Sequence, residues 1–227
     1  MREVPICTFK FSTRDISISG RTISGGTSIS GAEDLVRTDA GGYVSARFGE
    51  ANLIGRNAQL AWKATKTWLE DGAVPATVRF CEAKHQPTKG RVLVPHSDGT
   101  PFSDDSLYAQ WDCLVTAALA AEMGATSLKL NITNIGYPLA GGEWFSIDHP
   151  FMRDRAYNIH YVHEDGTVDF LPPLREDVPI GTELEFADPK CTMRLMGDMR
   201  NSYAIGSNHQ TGDAEFVEHF PGDDGYE

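Results

Sequence analysis

Short runs in which apolar and polar residues alternate dominate the sequence, and they predict a protein built mainly of β-strands. In residues 43–48, for example, Val44, Ala46 and Phe48 fall on one face of the predicted strand. Comparable runs lie at residues 16–18, 20–30, 76–81, 128–132, 143–147, 157–161, 168–170, 184–186, 192–195 and 214–220. The 22 glycines and 12 prolines supply the turns that a chain of many short strands needs.

Residues 57–71 depart from this pattern and predict one helix. Leu60 and Trp68 are spaced to share one helical face, with further apolar residues beside them. Gly72 follows at the position where a helix commonly ends. We expect Leu60, Trp62 and Trp68 to pack this helix against a sheet.

Residues 105–123 fit two interpretations. A helix would bring Leu107 and Trp111 onto one face, whereas a strand would align Val115 with Ala117. Periodicity alone does not distinguish a short apolar helix from a buried strand. Both alternatives therefore stay open for this stretch.

Residues 124–188 predict a small β-barrel or sandwich. Asp165-Gly166 lies between two alternating runs, which is a strong signal for a β-hairpin. Pro172-Pro173 then ends the returning strand, since proline cannot donate to a β-ladder. The strands on either side are short enough to form a compact unit.

Charge narrows the function classes. The chain carries 32 acidic and 20 basic side chains, a net charge of -12, so its surface should repel nucleic-acid phosphates. A sequence-specific nucleic-acid partner is therefore not expected.

No apolar run approaches the roughly 18 residues of a membrane-spanning helix, and the first residues contain no apolar signal-peptide core. Membrane insertion is not expected either.

The four cysteines, Cys7, Cys81, Cys113 and Cys191, are far apart and form no CxxC pair. This spacing favours neither a zinc ribbon nor a disulfide framework. We expect four reduced and mostly buried thiols, which is typical of a protein folded in the cytosol.

Residues that could carry chemistry are scattered. His160 and His163 are three apart, so on a strand they point to opposite faces and do not reach one metal ion. Asp98, Asp104 and Asp105 lack the ligand spacing of a calcium-binding loop. We expect no catalytic residue, no metal and no cofactor.

Several stretches carry a resemblance to a known family. They are 21–31 (RTISGGTSISG), 94–104 (VPHSDGTPFSD), 172–175 (PPLR), 179–186 (PIGTELEF) and 191–195 (CTMRL). Together these loose patterns of turns and strands resemble the distal tail, or minor tail, proteins of long-tailed bacteriophages. The resemblance spans roughly residues 20–196 and includes no catalytic signature.

The resemblance implies a mainly β fold in two parts. A β-sandwich belt domain with one helix would comprise residues 1–85 and 190–222. A second, small β-barrel or sandwich domain would be inserted at residues 86–189, with a long loop at 82–105. Residues 223–227 would form an acidic tail.

The resemblance also implies a structural role. The family member would form a homohexameric ring at the distal end of the tail tube. Its partners would be other copies of itself, the tail tube protein and the tail tip hub protein. Such a protein would fold in the host cytoplasm and reside in the virion, at the tail tip.

A carbohydrate-binding module is the alternative of a different class. Small β-barrels that expose aromatic rings can stack them on sugars. Tyr137, Trp144 and Tyr157 are the candidate platform for host surface glycans.

Overall fold

The computed structural model describes residues 1–20, 22–37, 41–81, 84–88, 91–111, 113–203 and 209–222. Its strands are β1 (Glu3–Val4), β2 (Phe11–Ser19), β3 (Thr22–Thr27), β4 (Glu33–Arg37), β5 (Tyr43–Ile54), β6 (Ala76–Arg79), β7 (Arg91–Val94), β8 (Tyr108–Trp111), β9 (Leu114–Ala117), β10 (Ser127–Asn134), β11 (Trp144–His149), β12 (Arg153–Val162), β13 (Thr167–Leu171), β14 (Glu183–Leu184), β15 (Lys190–Leu195), β16 (Arg200–Tyr203) and β17 (His209–Glu218). Its helices are α1 (Ile6–Phe9) and α2 (Gly55–Trp68), and a 3-10 turn, Glu70–Gly72, follows α2. The prediction of a mainly β fold is confirmed. The predicted acidic tail, 223–227, lies outside the described residues.

The first sheet has seven strands drawn from both ends of the chain. Its order is β1-β6-β15-β17-β5-β2, and β16 pairs with β17 beside this path. β1 runs parallel to β6, and the other pairs are antiparallel. Since β15 and β17 lie between β6 and β5, the last part of the chain completes a sheet begun by the first part.

The second sheet is a small barrel built from the middle of the chain. Its order is β11-β12-β13-β10-β9-β14, and every pair in it is antiparallel. Ser146 on β11 and Glu185, just after β14, exchange two backbone hydrogen bonds of 2.9 Å. These two bonds join the first and last strands, so the sheet nearly closes on itself. The predicted hairpin is also present, with Asp165-Gly166 between β12 and β13.

Residues 105–123, for which helix and strand were both open, contain β8 and β9. In β9, Val115 and Ala117 are buried in the barrel, while Leu114 faces outward. The strand interpretation is therefore correct. Pairing of β9 with β10 and β14 places this segment in the closed sheet, where alternate residues are buried.

The predicted helix is present as α2, but its buried face differs from the prediction. Trp62 and Thr65 are buried, whereas Leu60 is 44% exposed and Trp68 is half-buried. The expectation that Leu60 anchors the helix is wrong, because the helix is turned so that Trp62 packs on Phe9, with ring centroids 5.0 Å apart. Among the described residues, no helix is long and apolar enough to cross a membrane.

Each of the two sheets has its own hydrophobic core, and barrel residues contribute to the core of the first sheet. Trp144 and Ala156 belong to barrel strands, yet both are buried in the core of the first sheet. Trp144 packs edge-on against Phe80, with ring centroids 5.3 Å apart. The first sheet and the barrel are thus packed together, and the proposed domain boundaries at residues 86 and 189 stay a prediction.

Cys7 and Cys81 form a disulfide, so the expectation of four reduced thiols is wrong for this pair. The parallel register that pairs Val4 with Val78 explains it. Each cysteine lies three residues beyond its paired valine, and the two Cα atoms end 6.3 Å apart. The thiols of Cys113 and Cys191 remain outside any disulfide.

Truncating Trp62 should destabilise the protein far more than truncating a residue of the outer helix face. Trp62 is 0% exposed, so we expect Trp62→Ala to lower the free energy of unfolding by about 3–5 kcal/mol. Leu60→Ala is the matched control on the same helix and should cost less than about 1 kcal/mol. Urea denaturation of both variants measures the difference, and equal losses would contradict the described helix orientation.

The disulfide can be tested by counting thiols. Non-reduced protein unfolded in guanidinium should react with a thiol reagent at two cysteines, and reduced protein at four. Because the bond closes a 74-residue separation, Cys7→Ser with Cys81→Ser should lower the free energy of unfolding by about 4 kcal/mol. Cys113→Ser is the control. Four reactive thiols without reduction would show that the bond does not form.

Candidate functional site: a buried ion cluster and an exposed arm

Strand β17 carries the face on which the helix and the barrel both pack. Its residues Gly212, Ala214, Phe216 and Glu218 alternate with outward-facing residues and are all buried. A Cβ added to Gly212 would lie 2.6 Å from Cζ2 of Trp62, so the indole ring rests directly on the glycine. Glu218 occupies the other end of the same face, where the barrel packs.

The Glu218 carboxylate joins the first sheet to the barrel. Arg175 donates to both of its oxygens, through Nε at 3.1 Å and Nη2 at 3.0 Å. Arg155 donates from Nη1 at 3.3 Å, and the backbone N–H of Val44 donates at 3.0 Å. Glu218 and Arg155 are 2% and 0% exposed, so this pairing takes place away from water. We call Glu218, Arg155 and Arg175 the ion cluster.

The ion cluster holds two positive charges and one negative charge. The Cζ atoms of Arg155 and Arg175 lie 5.2 and 5.0 Å from the ring centroid of Phe220. An aromatic face stabilises a nearby cation, most strongly where water is excluded. The Phe220 ring therefore helps to stabilise both guanidinium groups.

A second hydrogen-bond chain extends from the ion cluster into the barrel. The Tyr157 hydroxyl accepts from the backbone N–H of Arg175 at 3.2 Å and lies 2.8 Å from Nε2 of His149. Burial lowers the pKa of His149 to about 4, which keeps the imidazole neutral at physiological pH. Burial also raises the pKa of Tyr157 above its ordinary value.

The barrel loop that contains Arg175 also contacts Gly41 and Gly42, the two residues directly before β5. Arg175 Nη2 donates to the carbonyl oxygen of Gly42 at 2.6 Å. Gly41 has a φ of +65°, and a Cβ added there would collide with the ring of Pro173. Glycine at position 41 is thus needed both for the backbone conformation and for the close approach of the barrel.

Strands β3 and β4 form a two-stranded hairpin, which we call the arm. Ile23 pairs directly with Val36, so both side chains lie on the same face, and they are 63% and 55% exposed. Leu35 is 59% exposed, and Ile29 at the tip is fully exposed. An isolated two-stranded hairpin is only marginally stable in water. The arm presents apolar side chains that are each more than half exposed to solvent.

A second hairpin, β7 with β8, has a small aromatic cluster at its end. His96, Phe102 and Tyr108 pack edge to face, with ring centroids 4.5 to 5.0 Å apart. The Tyr108 hydroxyl lies 3.3 Å from His96 Nδ1. This cluster orders the long loop within itself, in contrast to the arm.

The aspartates of that loop stabilise its turns. Asp98 accepts hydrogen bonds from Thr100, and Asp104 accepts equivalent bonds from Ser106. The Thr100 hydroxyl lowers the pKa of Asp98 for this reason.

His160 and His163 are both exposed near the β12–β13 hairpin, and His163 pairs with Asp169 at 2.8 Å. Within the described ranges, no group of three or more His, Cys, Asp or Glu side chains could hold a metal ion.

The candidate glycan platform does not form. Trp144 and Tyr157 are 6% and 0% exposed, whereas Tyr137 is 55% exposed. Trp144 points into the core of the first sheet and Tyr157 into the core of the barrel, since they occupy opposite faces of their paired strands. The proposal of three exposed rings on one surface is therefore wrong.

The sequence analysis did not predict the ion cluster, although two of its residues occupy positions that the strand pattern marks as buried. Glu218 is in phase with the buried residues Ala214 and Phe216, and Arg155 is in phase with Tyr157. A charged residue at an apolar position of an alternating strand indicates a buried, paired charge. Arg175 lies in a loop without periodicity and left no such signal.

No protein-family model matches the chain. A search of curated proteins also finds no significant match. Function is therefore inferred from the geometry above and from the sequence resemblance.

Removing the charge of Glu218 should destabilise the protein strongly. Glu218→Gln removes the carboxylate that pairs with the buried side chains of Arg155 and Arg175, and we expect it to lower the free energy of unfolding by about 3–5 kcal/mol. Glu215→Gln is the matched control on the same strand, because its pair with Arg47 is exposed and should contribute less than about 1 kcal/mol. Guanidinium denaturation of both variants gives the comparison. Similar, small losses would show that Glu218 does not join the two parts.

Proposed function

We propose that this chain is a structural assembly protein that closes into a homomeric ring at the distal end of a bacteriophage tail. In that role it would connect the tail tube protein to the tip hub protein. The exposed apolar arm is the observation that carries the proposal. The sequence resemblance described above supplies the biological setting.

The arm has the properties of a contact between copies. It extends from β2 and β5 of the first sheet, and its Ile23–Val36 face is open to solvent. Contiguous exposed apolar side chains mark interaction sites more often than single ones do. A hairpin that is marginal alone gains stability when a neighbouring copy covers this face.

The open edge of the first sheet supports the same role. β2 spans nine residues and, among the described strands, pairs only with β5. Long unpaired edges bind further strands unless they are protected. In a closed ring each copy provides the partner for the next, so no edge is left at the ends.

Net charge is consistent with a channel for DNA. Each copy carries -12, and a ring of such copies would repel the phosphates that pass through it. A channel through which DNA passes should bind the DNA only weakly. The acidic composition therefore supports the proposal independently of the arm.

Charge introduced on the arm should prevent assembly. Ile23→Glu with Val36→Glu places two carboxylates opposite each other on the proposed contact face. We expect wild-type protein to form a closed oligomer and this double variant to remain a folded monomer, as measured by light scattering after size exclusion. Circular dichroism checks that the fold is retained.

Phe151→Glu is the control, because Phe151 is 67% exposed in the β11–β12 turn of the barrel and is not part of the arm. It should leave the oligomer intact. A wild-type monomer at high protein concentration, or a double variant that still forms the ring, would refute the arm as the contact. Labelling this chain in purified phage particles by electron microscopy then tests the tail-tip location.

A further inference from the structure

The arm and the barrel enclose a cleft between them. Thr22 and Leu35 line it from the arm, and its barrel side includes Ser127, His160, Asp169 and Leu171. Its volume is about 650 Å³, within the range of roughly 300–1,000 Å³ in which proteins enclose small ligands. We call this depression the cleft.

The cleft carries little charge. Among its described lining residues, Asp169 is the one carboxylate, and none is a lysine or an arginine. Asp169 is also paired, because its Oδ2 lies 2.8 Å from Nε2 of His163. Leu35 and Leu171 add apolar surface. The cleft therefore suits an occupant that is uncharged and partly apolar.

The tip of the arm has matching properties. Residues 22–32, from β3 to the residue before β4, contain no charged side chain, although 23% of the whole chain is charged. Ile29 is fully exposed at the tip. A Cβ added to Gly26 or Gly31 would contact nothing within 4 Å. The tip is thus built of small, uncharged residues with one large apolar side chain at its end.

A ring requires the arm to contact a surface different from itself. When two copies bring identical faces together, the contact is isologous and closes a dimer, whereas a ring needs a heterologous contact between two different surfaces. If the arm carries one half of that contact, the other half lies elsewhere on the neighbouring copy. The receiving surface must therefore be sought outside the tip.

Other clefts among the described residues fit the tip less well, because they are more charged. The cleft around Gly49, of about 680 Å³, is lined by three arginines and four carboxylates. The cleft beside Thr77 is lined by three carboxylates, one arginine and one lysine, and the cleft beside Phe220 by two carboxylates and one arginine. An uncharged tip would take water from these charges without pairing them, which costs free energy.

We propose that the tip of the arm, residues 27–32, inserts into the cleft of the neighbouring copy, with Ile29 against Leu35 and Leu171. This inference rests on the proposed function, for which it names the receiving surface. The hydroxyl of Ser127 supplies an uncharged hydrogen-bonding group for the exposed backbone of the tip. Because one wall of the cleft belongs to the arm, each arm receives one neighbour and engages the next, so the contacts follow one another around the ring.

Cross-linking between two different chains tests this contact. Ile29→Cys and Ser127→Cys are placed on separate chains, both carrying Cys113→Ser, and the two chains are co-expressed with tags of different length. Mild oxidation of the assembled protein should join the two chains in much higher yield than it joins Ile29→Cys to Ile180→Cys. Ile180 is the matched control, because it is 68% exposed on the barrel and does not line the cleft. Met196→Cys, in the cleft around Gly49, tests the largest competing cleft.

Filling the cleft provides a second test that needs no cross-link. Ser127 is exposed, so Ser127→Trp should fold normally, as checked by circular dichroism. We expect it to need a protein concentration about tenfold or more above that of the wild type to assemble, as measured by light scattering. Ile180→Trp adds the same ring outside the cleft and should assemble like the wild type.

The outcomes separate this inference from the proposed function. If the wild type forms a closed oligomer, but Ile29 joins Ser127 no better than it joins Ile180 or Met196, the tip does not enter the cleft and the ring stands without it. Assembly of Ser127→Trp at wild-type concentrations would overturn the insertion in the same way. A wild-type monomer at high concentration would refute the ring itself, and the insertion with it.

Discussion

A single buried carboxylate, that of Glu218, sets how the two sheets of this protein meet. It receives hydrogen bonds from Arg155, Arg175 and the backbone of Val44, so it contacts barrel and sheet at once. A buried ion pair adds little net stability over an apolar contact, but it is costly to misplace. The cluster therefore acts mainly on specificity, because a docking that separated Glu218 from Arg155 and Arg175 would lose the hydrogen bonds that compensate these buried charges. The alternation along β17 extends this constraint to Gly212, on which the helix packs.

Local patterns predicted those elements whose structure depends on nearby residues. The Asp165-Gly166 hairpin and helix α2 follow from turn chemistry and from periodicity, which act within a few residues. The orientation of α2 was missed because several faces of this helix carry apolar residues. Trp62 was selected over Leu60 by the space above Gly212, about 150 positions further along the chain. No property of the helix alone specifies that space.

Features that depend on contacts between residues far apart in the sequence could not be predicted from local patterns. The bond between Cys7 and Cys81 follows from the register of β1 on β6, which neither cysteine reveals. The sequence pattern does not decide whether Trp144 and Tyr157 are exposed, because aromatic rings occur both in cores and at surfaces. Residues of a strand packed on two sides are buried on both faces, as β11 is between the two cores. A single-sequence pattern does not distinguish such a strand from one with an exposed face.

The start of β5 has a geometric consequence for the first sheet. Gly41 and Gly42 lie directly before β5 and contact Pro173 and Arg175 of the barrel. β5 pairs with β17 on one side and with β2 on the other. The position of the barrel is thereby coupled to the strand that connects the middle of the sheet to its edge, so a displacement of the barrel would be transmitted through β5 to β2.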